Sequence, residues 1–355
     1  MFPTTIDRHR ILGKVLRMER RHRRGLGQAA LAQRVGVSQT TISNLETSAT
    51  ACQDARRTVC RDAILRVLTQ GLALEQERLD AILWLYDGTP LTAGEIARYG
   101  RAYLPRASLK HYTHADLRQQ VLALLGETLH AFAPHTSCHR ATVDIVCVGD
   151  EPSLLHALKA ILQMESLPGQ RLMVKRHPSS LVHPPAAYQG EGFAPPVIAS
   201  TTGRRALRTL HAQRRETFLH HLALYGERSM HHRASLERYV RQDIPHYLPL
   251  EQRRQHIHHW ITLLEAYEHY EVGLAEALPR FGPHLKSTVQ AMLRGIQSAE
   301  EDKEGVGRGV QYLYWFDEVS VLAFYLDFEQ HWDAIPLEYR TKSTVMAWLK
   351  RLLET

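Results

Sequence analysis

Four polar side chains stand on one face of a short predicted helix near the start of the chain: Gln39, Thr40, Ser43 and Asn44. Amide and hydroxyl groups of this length reach base edges from a helix in the major groove, where Gln or Asn can pair with adenine. The chemistry that this face offers is hydrogen bonding to DNA bases rather than catalysis.

The elements that must position this face are two short helices. The apolar residues Leu31 and Val35 are separated from Ile42 and Leu45 by Gly36, so they cannot form one continuous helical stripe. Gly36 stands where a helix needs a left-handed residue, and Ser38 where an N-cap oxygen would open the next helix. The spacing predicts a tight turn between two helices that share a small interior, with Ala32 at their close crossing.

The stretch resembles the Cro/C1-type helix-turn-helix shared by phage repressors and bacterial regulators of the XRE family. The resemblance covers roughly residues 8–68. It rests on residues that stand where the family pattern puts them: Gln28, Leu31, Ala32, Val35, Gly36, Ile42, Leu45 and Glu46. An ordinary helical hairpin is the alternative interpretation.

The resemblance implies roles for individual residues. Gln28 would cap the first helix against a phosphate, Gln39, Thr40 and Asn44 would read bases, and Arg21 would pair with Glu46 inside the domain. We expect the DNA-contacting residues to be Gln28, Ser38, Gln39, Thr40, Thr41, Ser43 and Asn44. One departure concerns residues 47–50, Thr-Ser-Ala-Thr, where the family often has a glycine and a basic residue.

The distribution of charge supports this interpretation. Residues 1–66 contain 13 Lys and Arg against 5 Asp and Glu, whereas the whole chain has a net charge of +7. The remainder of the chain is therefore close to neutral. Binding to DNA phosphates requires positive charge in the DNA-binding domain and not in the rest of the chain, as is found here.

Length and composition narrow the class of protein. A length of 355 residues allows two or three domains, and a hydrophobic content of 44% is enough for an ordinary buried core. We find no apolar run near eighteen residues and no hydrophobic signal segment, so we expect a cytoplasmic location without membrane insertion. The four cysteines form no CxxC pair, which favours reduced thiols over disulfides or a zinc ribbon.

The expected architecture is multidomain, α followed by α/β. Helical spacing predicts a DNA-binding domain over residues 1–104 and a helical linker over 105–139 whose helix 114–132 is a candidate dimerisation element. An α/β domain over 140–355 follows. Its extended runs at 143–148 and 171–176, with a helix at 153–164 between them, predict a parallel unit. Further predicted strands are 196–200, 270–275, 287–293 and 309–316, and further predicted helices span 204–267 with a break near 243–250, then 320–333 and 341–353.

One motif in the second half points to chemistry. Residues 284–291, HLKSTVQA, look like the HxKxxxxD signature of phospholipase D-type phosphodiesterases, placed before a predicted strand. The aspartate position is Ala291, and the chain has no second HxK, although such enzymes use two histidines. The looser resemblance, over residues 140–355, is to degenerate phospholipase-D-like sensor domains of transcription regulators, so we expect no enzyme activity. His284 and Lys286 as ordinary surface residues is the alternative.

Histidines and aromatic residues offer two weaker candidates. His256 and His259 stand one helical turn apart, but no Asp, Glu or Cys is placed convincingly beside them, so we expect neither a metal nor a cofactor. An aromatic series near the C-terminus is a candidate pocket for a small apolar effector. Its members are Tyr312, Tyr314, Trp315, Phe316, Phe324, Tyr325, Phe328 and Trp332.

The sequence thus favours a transcription regulator that binds a double-stranded DNA operator as a homodimer. Its C-terminal domain would sense a small-molecule effector or oligomerise. The alternatives are a DNA-targeted phosphodiesterase or nuclease of the phospholipase-D type, and an interaction protein of a phage or defence system.

Overall fold

The computed structural model divides into two compact units, one from Ile6–Thr136 with Asp317–Leu326 and one from Ser137–Phe316 with Asp327–Thr355. The first is all-helical, and the second combines helices with a sheet. The structure describes residues 8–47, 57–89, 91–95, 113–132, 138–143, 168–175, 200–241, 249–278, 282–286, 292–297, 310–315 and 318–354, with single positions at 98, 155, 158, 159, 162, 165, 166, 178, 182 and 184.

The first unit is built from seven described helices, two of which run into π-helical turns. These are α1 Arg8–Met18 with the turn Glu19–Arg23, α2 Gln28–Val35, α3 Gln39–Thr47, α4 Arg57–Arg66 with the turn Val67–Gly71, α5 Gln76–Asp87, the single-turn α6 Ala93–Glu95, and α7 His114–Phe132.

Helix α7 belongs to this unit and packs against α1 and α5. Its apolar stripe Leu117, Val121 and Leu125 is buried inside the unit, so that stripe is covered within one chain. Helix α7, which belongs to the segment 105–139 expected as a linker with a dimerisation helix, therefore contributes core residues to the first unit. The boundary near Thr136 differs from the expected one at residue 104, because the four-residue repeat of α7 finds its apolar partner in α5.

The second unit carries seven described strands and five helices. They are β1 Cys138–Val143, β2 Arg171–Lys175, α8 Thr201–Tyr225, β3 Glu227–His232, α9 Arg233–Arg241, α10 Leu250–Ala266, β4 Tyr270–Ala275, β5 Gly282–Lys286, β6 Met292–Gln297, β7 Val310–Trp315, α11 Glu318–Ala334 and α12 Lys342–Glu354. Helix α11 spans the boundary at residue 326 between the two units.

The strands form one mixed sheet in the order β1-β7-β6-β5-β2-β3-β4. Strands β2, β3 and β4 are parallel, and the other pairings are antiparallel. Of the predicted parallel pairing of 143–148 with 171–176, residues 144–148 lie outside the described residues, and in the described sheet β2 pairs with β3 and β5. Strand β1 ends at Val143 and pairs antiparallel with β7, whereas β2 takes β3 as its parallel partner through the crossover helix α8.

Strand β3 was not predicted, since residues 204–267 were expected to be helical apart from one break, and β1 and β5 were not predicted either. The β3 sequence Glu-Arg-Ser-Met-His-His lacks an apolar run, yet it lies between two other strands, with Glu227, Ser229 and His231 buried. Ion pairing supplies what hydrophobicity does not: Glu227 lies 3.1 Å from Arg171 on β2.

Other predicted elements agree with the structure where it describes them. Strands β4 and β7 and helices α11 and α12 stand within a few residues of their predicted bounds. The residues 144–148, 196–199 and 287–291 lie outside the described residues, as does most of 153–164. Ser200, expected to end a strand, caps α8 instead, because its Oγ accepts a hydrogen bond from the Gly203 amide at 2.8 Å.

A group of buried charges lies where β2 and β3 meet α8. Arg214 makes two 2.8 Å hydrogen bonds to Glu165, and Arg171 lies 3.7 Å from the same carboxylate. Burial, followed by the charges of Arg171 and Arg214, lowers the pKa of Lys175 to about 7. The sheet therefore contains a lysine whose charge opposes folding at neutral pH.

Stability of the second unit should consequently depend on pH through Lys175. An unfolded lysine keeps its proton up to a pKa near 10.5, whereas the folded one loses it near 7, so between these values the unfolded chain binds more protons and raising the pH favours folding. We expect the free energy of unfolding of wild type, relative to Lys175→Met, to rise from pH 7 to 9.5 in urea titrations followed by tryptophan fluorescence. Lys350→Met, on the exposed side of α12, is the control, and the difference in free energy of unfolding between wild type and this variant should not change with pH. A pH-independent difference between wild type and Lys175→Met would contradict the prediction.

The close crossing of α1 and α3 gives a second prediction. A β-carbon on Gly13 would lie 2.4 Å from the carbonyl oxygen of Glu46, which is backbone and cannot rotate away. We expect Gly13→Ala to destabilise the first unit by about 1–3 kcal/mol in thermal or urea unfolding. Gly126→Ala in α7 is the matched control, because nothing lies within 4 Å of its β-carbon, and it should be neutral or stabilising by up to about 1 kcal/mol. Equal effects of the two substitutions would rule out the close contact.

Candidate DNA-binding surface

The turn between α2 and α3 has the geometry that its sequence predicts. Gly36 adopts φ 70° and ψ 34°, the left-handed conformation that ends a helix. The amide of Val37 then donates to the carbonyl oxygen of Ala32 at 3.1 Å. Helix α2 therefore stops at Val35, and the chain reverses within three residues to begin α3.

Ser38 is the N-cap of α3, as predicted. Its Oγ accepts a hydrogen bond from the Thr41 amide at 3.0 Å and lies 2.8 Å from Thr41 Oγ1. Both hydroxyl groups thus serve the first turn of the helix. A contact of Ser38 or Thr41 with DNA stays a prediction.

The predicted interior of the hairpin is confirmed. Leu31, Ala32 and Val35 of α2 are buried, as are Ile42 and Leu45 of α3. The π-helical turn Val67–Gly71 covers α2 from outside the hairpin, and Gly71 allows this approach, since a β-carbon there would lie 2.5 Å from Leu31 Cδ1. A second close approach, at Gly13, brings α1 against the end of α3.

Burial of one side of α3 leaves the opposite side in solvent. Gln39, Thr40 and Asn44 are exposed, and Ser43 is half-buried. The Ser43 carbonyl accepts a hydrogen bond from Thr47 Oγ1 at 2.7 Å, which closes the last turn. The face expected to read bases is therefore free of the hairpin interior and stands on a helix whose two ends are both fixed.

Helix α3 is attached to the rest of the unit by a buried carboxylate. Arg20 donates two hydrogen bonds to Glu46, from Nε at 2.5 Å and from Nη2 at 2.9 Å. Gln28 Nε2 donates to the same carboxylate at 2.9 Å, and Arg17 Nε lies 3.8 Å away. We call Glu46, Arg20, Gln28 and Arg17 the Glu46 cluster; it connects α1, α2 and α3 by charge-assisted hydrogen bonds.

The pairing expected between Arg21 and Glu46 is wrong by one residue. The π-helical turn Glu19–Arg23 closes with the Arg24 amide on the Glu19 carbonyl oxygen, a wider turn than that of an α-helix. Within this turn Arg20 is buried beside α3, and Arg21 is exposed. The sequence contains four arginines in this run, and only tertiary packing selects the one that points inward.

Gln28 differs in part from its expected role. The N-cap of α2 is Gly27, and Gln28 is the first helical residue, with its amide group directed to Glu46. The phosphate contact of Gln28 stays a prediction. In this position Gln28 would connect the DNA backbone to the Glu46 cluster.

Exposed arginines lie near both ends of α2. Arg21, Arg23 and Arg24 precede it, and Arg34 lies near its end. Arg23 lies 3.6 Å from Glu127, and Arg24 donates to the Ala73 carbonyl oxygen at 3.3 Å. These contacts orient the side chains and leave them accessible to an approaching polyanion.

The candidate catalytic and metal-binding residues of the second unit are the HLK motif and the pair His256 and His259. The residues His284–Lys286 of the HLK motif lie within β5, and the next described strand, β6, begins at Met292. The side chains of His284 and Lys286 are outside the described residues. His256 Nδ1 lies 2.8 Å from the buried Tyr239 hydroxyl, whereas His259 lies 3.2 Å from Arg215 Nη2. Among the described residues no three His, Cys, Asp or Glu side chains converge as metal ligands.

The aromatic series also has a packing role where its side chains are described. Phe328 stacks on Trp332 with ring centroids 5.9 Å apart, and the Arg228 guanidinium lies 4.6 Å from the Trp332 ring. Arg228 also binds Glu329 at 2.5 Å. These rings are covered by a paired arginine, so at this point the series forms part of the core and its effector pocket stays a prediction.

Comparison with known families matches residues 11–82 to the family described as "Helix-turn-helix domain". No curated protein and no solved structure matches the chain. In the described part of the chain, no helix is both long enough and apolar enough to cross a membrane. The match begins in α1 and ends in α5, so it includes the hairpin, the Glu46 cluster and the helices that cover them. Residues 11–82 are a helix-turn-helix domain.

Proposed function

We propose that this chain is a sequence-specific DNA-binding transcription regulator. The observation that carries the proposal is the exposed polar face of α3, with Gln39, Thr40 and Asn44 in solvent while Glu46 is fixed in the interior. A recognition helix needs this combination, because base-edge hydrogen bonds discriminate only when the helix has one orientation.

Charge supports the same proposal. The basic excess of the chain is concentrated in residues 1–66, and the arginines beside α2 are exposed. Phosphate contacts supply most of the affinity of such domains and also make it depend on salt. We therefore place the DNA backbone along the start of α2 and the base edges along α3.

The second unit would act as the regulatory part. We propose that it senses a small effector or joins two chains, that the regulator works as a cytoplasmic homodimer, and that it has no enzyme activity. The competing function is a DNA-targeted phosphodiesterase or nuclease, and the interaction protein is a third class. Only one HxK motif is present and its aspartate position is alanine, which favours the regulator.

Selection of bound fragments from random DNA tests the proposal directly. A regulator should enrich one sequence motif at about 150 mM salt, and incubation of the recovered DNA with Mg²⁺ or Mn²⁺ should leave it intact. Enrichment without a motif would reject sequence-specific binding. Metal-dependent cleavage would favour the nuclease, and copurification of a stoichiometric protein partner without DNA binding would favour the interaction protein.

Gln39→Ala should lower affinity for the selected operator by about 1–3 kcal/mol and leave binding to random DNA nearly unchanged, because a base-edge amide contributes discrimination rather than charge. Fluorescence anisotropy at fixed salt measures both affinities. Gln119→Ala, an exposed glutamine of α7, is the control and should change neither. A parallel loss of operator and random-DNA binding in Gln39→Ala would show that Gln39 does not read bases.

A homodimer should protect two half-sites about 34 Å apart, one helical turn of DNA, because two copies of α3 related by two-fold symmetry enter successive major grooves. Footprinting on the selected operator measures this spacing, and sedimentation gives the number of chains bound. Inserting five base pairs between half-sites turns them to opposite faces and should weaken binding strongly. Unchanged affinity after the insertion would indicate that one chain binds alone.

A further inference from the structure

Arg78, which lies outside the helix-turn-helix hairpin, connects α7 to Glu19, the residue before Arg20 of the Glu46 cluster. Arg78 on α5 hydrogen-bonds to Glu19 and also makes two bonds to Glu127 on α7, at 3.2 Å from Nη1 and 2.6 Å from Nη2. We call this arrangement the Glu19–Arg78–Glu127 bridge. It joins three segments that are far apart in sequence: the π-helical turn, α5 and α7.

The two ends of this bridge differ in burial. Glu19 has no exposed surface and Arg78 is 16% exposed, whereas the Glu127 side chain is 42% exposed. Burial lowers the pKa of Arg78, but hydrogen bonds to Glu127 and Glu19 outweigh it and raise the pKa above the ordinary value. Arg78 is thus a permanent cation beside a carboxylate that water does not reach, and removing it would leave a buried charge unpaired.

The bridge is adjacent to the Glu46 cluster through the backbone. Glu19 and Arg20 are consecutive residues of the π-helical turn, and both are buried. Glu19 is directed to Arg78, and Arg20 is directed to Glu46 and to the Leu26 carbonyl oxygen. A shift of Glu19 must move Arg20, and a shift of Arg20 must move Glu46 together with the end of α3.

We infer that Arg78 is a positioning residue for DNA recognition, which fixes the orientation of α3 through Glu19 and Arg20 without touching DNA. The inference rests on the proposed function. It also gives α7 a role, because a movement of α7 would be transmitted to the recognition helix through Glu127 and Arg78. π-Helical turns occur often at functional sites, and this one lies between the two sets of ion pairs.

The test compares Arg78→Met with Arg66→Met in the full chain. Arg66 is an exposed arginine of α4 that pairs with Asp62 at 2.8 Å, so it controls for loss of one positive charge from the same unit. We expect Arg78→Met to lower operator affinity about tenfold, the size of coupling between contacting groups. Random-DNA affinity and its salt slope should stay unchanged, since Arg78 neutralises no phosphate. Arg66→Met should leave all three quantities unchanged.

A double variant separates positioning from general stability. Glu19→Gln in the Arg78→Met background removes the unpaired buried charge and should recover most of the lost thermal stability. It cannot restore the contact that fixes the π-helical turn, so operator affinity should stay low. Recovery of operator affinity together with stability would show that Arg78 acts through stability alone, and the inference would be wrong.

A measurement without DNA keeps the inference distinct from the proposed function. Hydrogen exchange followed by mass spectrometry should be faster over α3 in Arg78→Met than in wild type, and unchanged in Arg66→Met. Unchanged exchange over α3 would overturn the positioning role even for a chain that binds an operator. Wild-type protein that shows no operator preference would reject the proposed function, and faster α3 exchange in Arg78→Met would still show the coupling.

Discussion

The buried carboxylate of Glu46 is the interaction on which the N-terminal unit depends. This glutamate at the end of α3 accepts hydrogen bonds from Arg20 of the π-helical turn and from Gln28 of α2, and these donors replace the water that its charge would otherwise need. Its position is reached only because Gly13 lets the backbone of α3 approach α1 at a distance that any side chain would prevent. Close approach and charge pairing are therefore one constraint, and the exposed face of α3 follows from it.

The same physics recurs in the second unit with a different outcome. There the buried pairs Glu165–Arg214 and Glu227–Arg171 stabilise polar residues in and beside the parallel part of the mixed sheet. Burial, followed by the charges of Arg171 and Arg214, lowers the pKa of Lys175 in the same region. The buried glutamates Glu19 and Glu46 of the first unit likewise bond arginines directly.

Local signals made the helix-turn-helix predictable from sequence. Gly36 and Ser38 determine the turn through backbone conformation and capping, which depend on neighbours within four residues. The features that were predicted wrongly or not at all depend on contacts between residues far apart in sequence. The arginine that points inward is Arg20 rather than Arg21 because the π-helical turn packs against α3. Strand β3 was not predicted because ion pairs with other segments, rather than apolar residues, stabilise its polar side chains. The pairing of β1 with β7 joins segments far apart in the chain, which no local pattern specifies. Base contacts, dimerisation and the effector stay predictions.

The Glu46 cluster also constrains which sequences can keep this fold. An arginine lost from position 20 leaves a buried anion, and a glutamate lost from position 46 leaves a buried cation, so either change alone is costly while both together can be tolerated. Drift at these positions must therefore proceed in pairs, whereas Gln39, Thr40 and Asn44 can change singly because they contact solvent. The architecture therefore separates an interior whose buried charges depend on one another from an exposed face of α3 whose residues can be replaced one at a time.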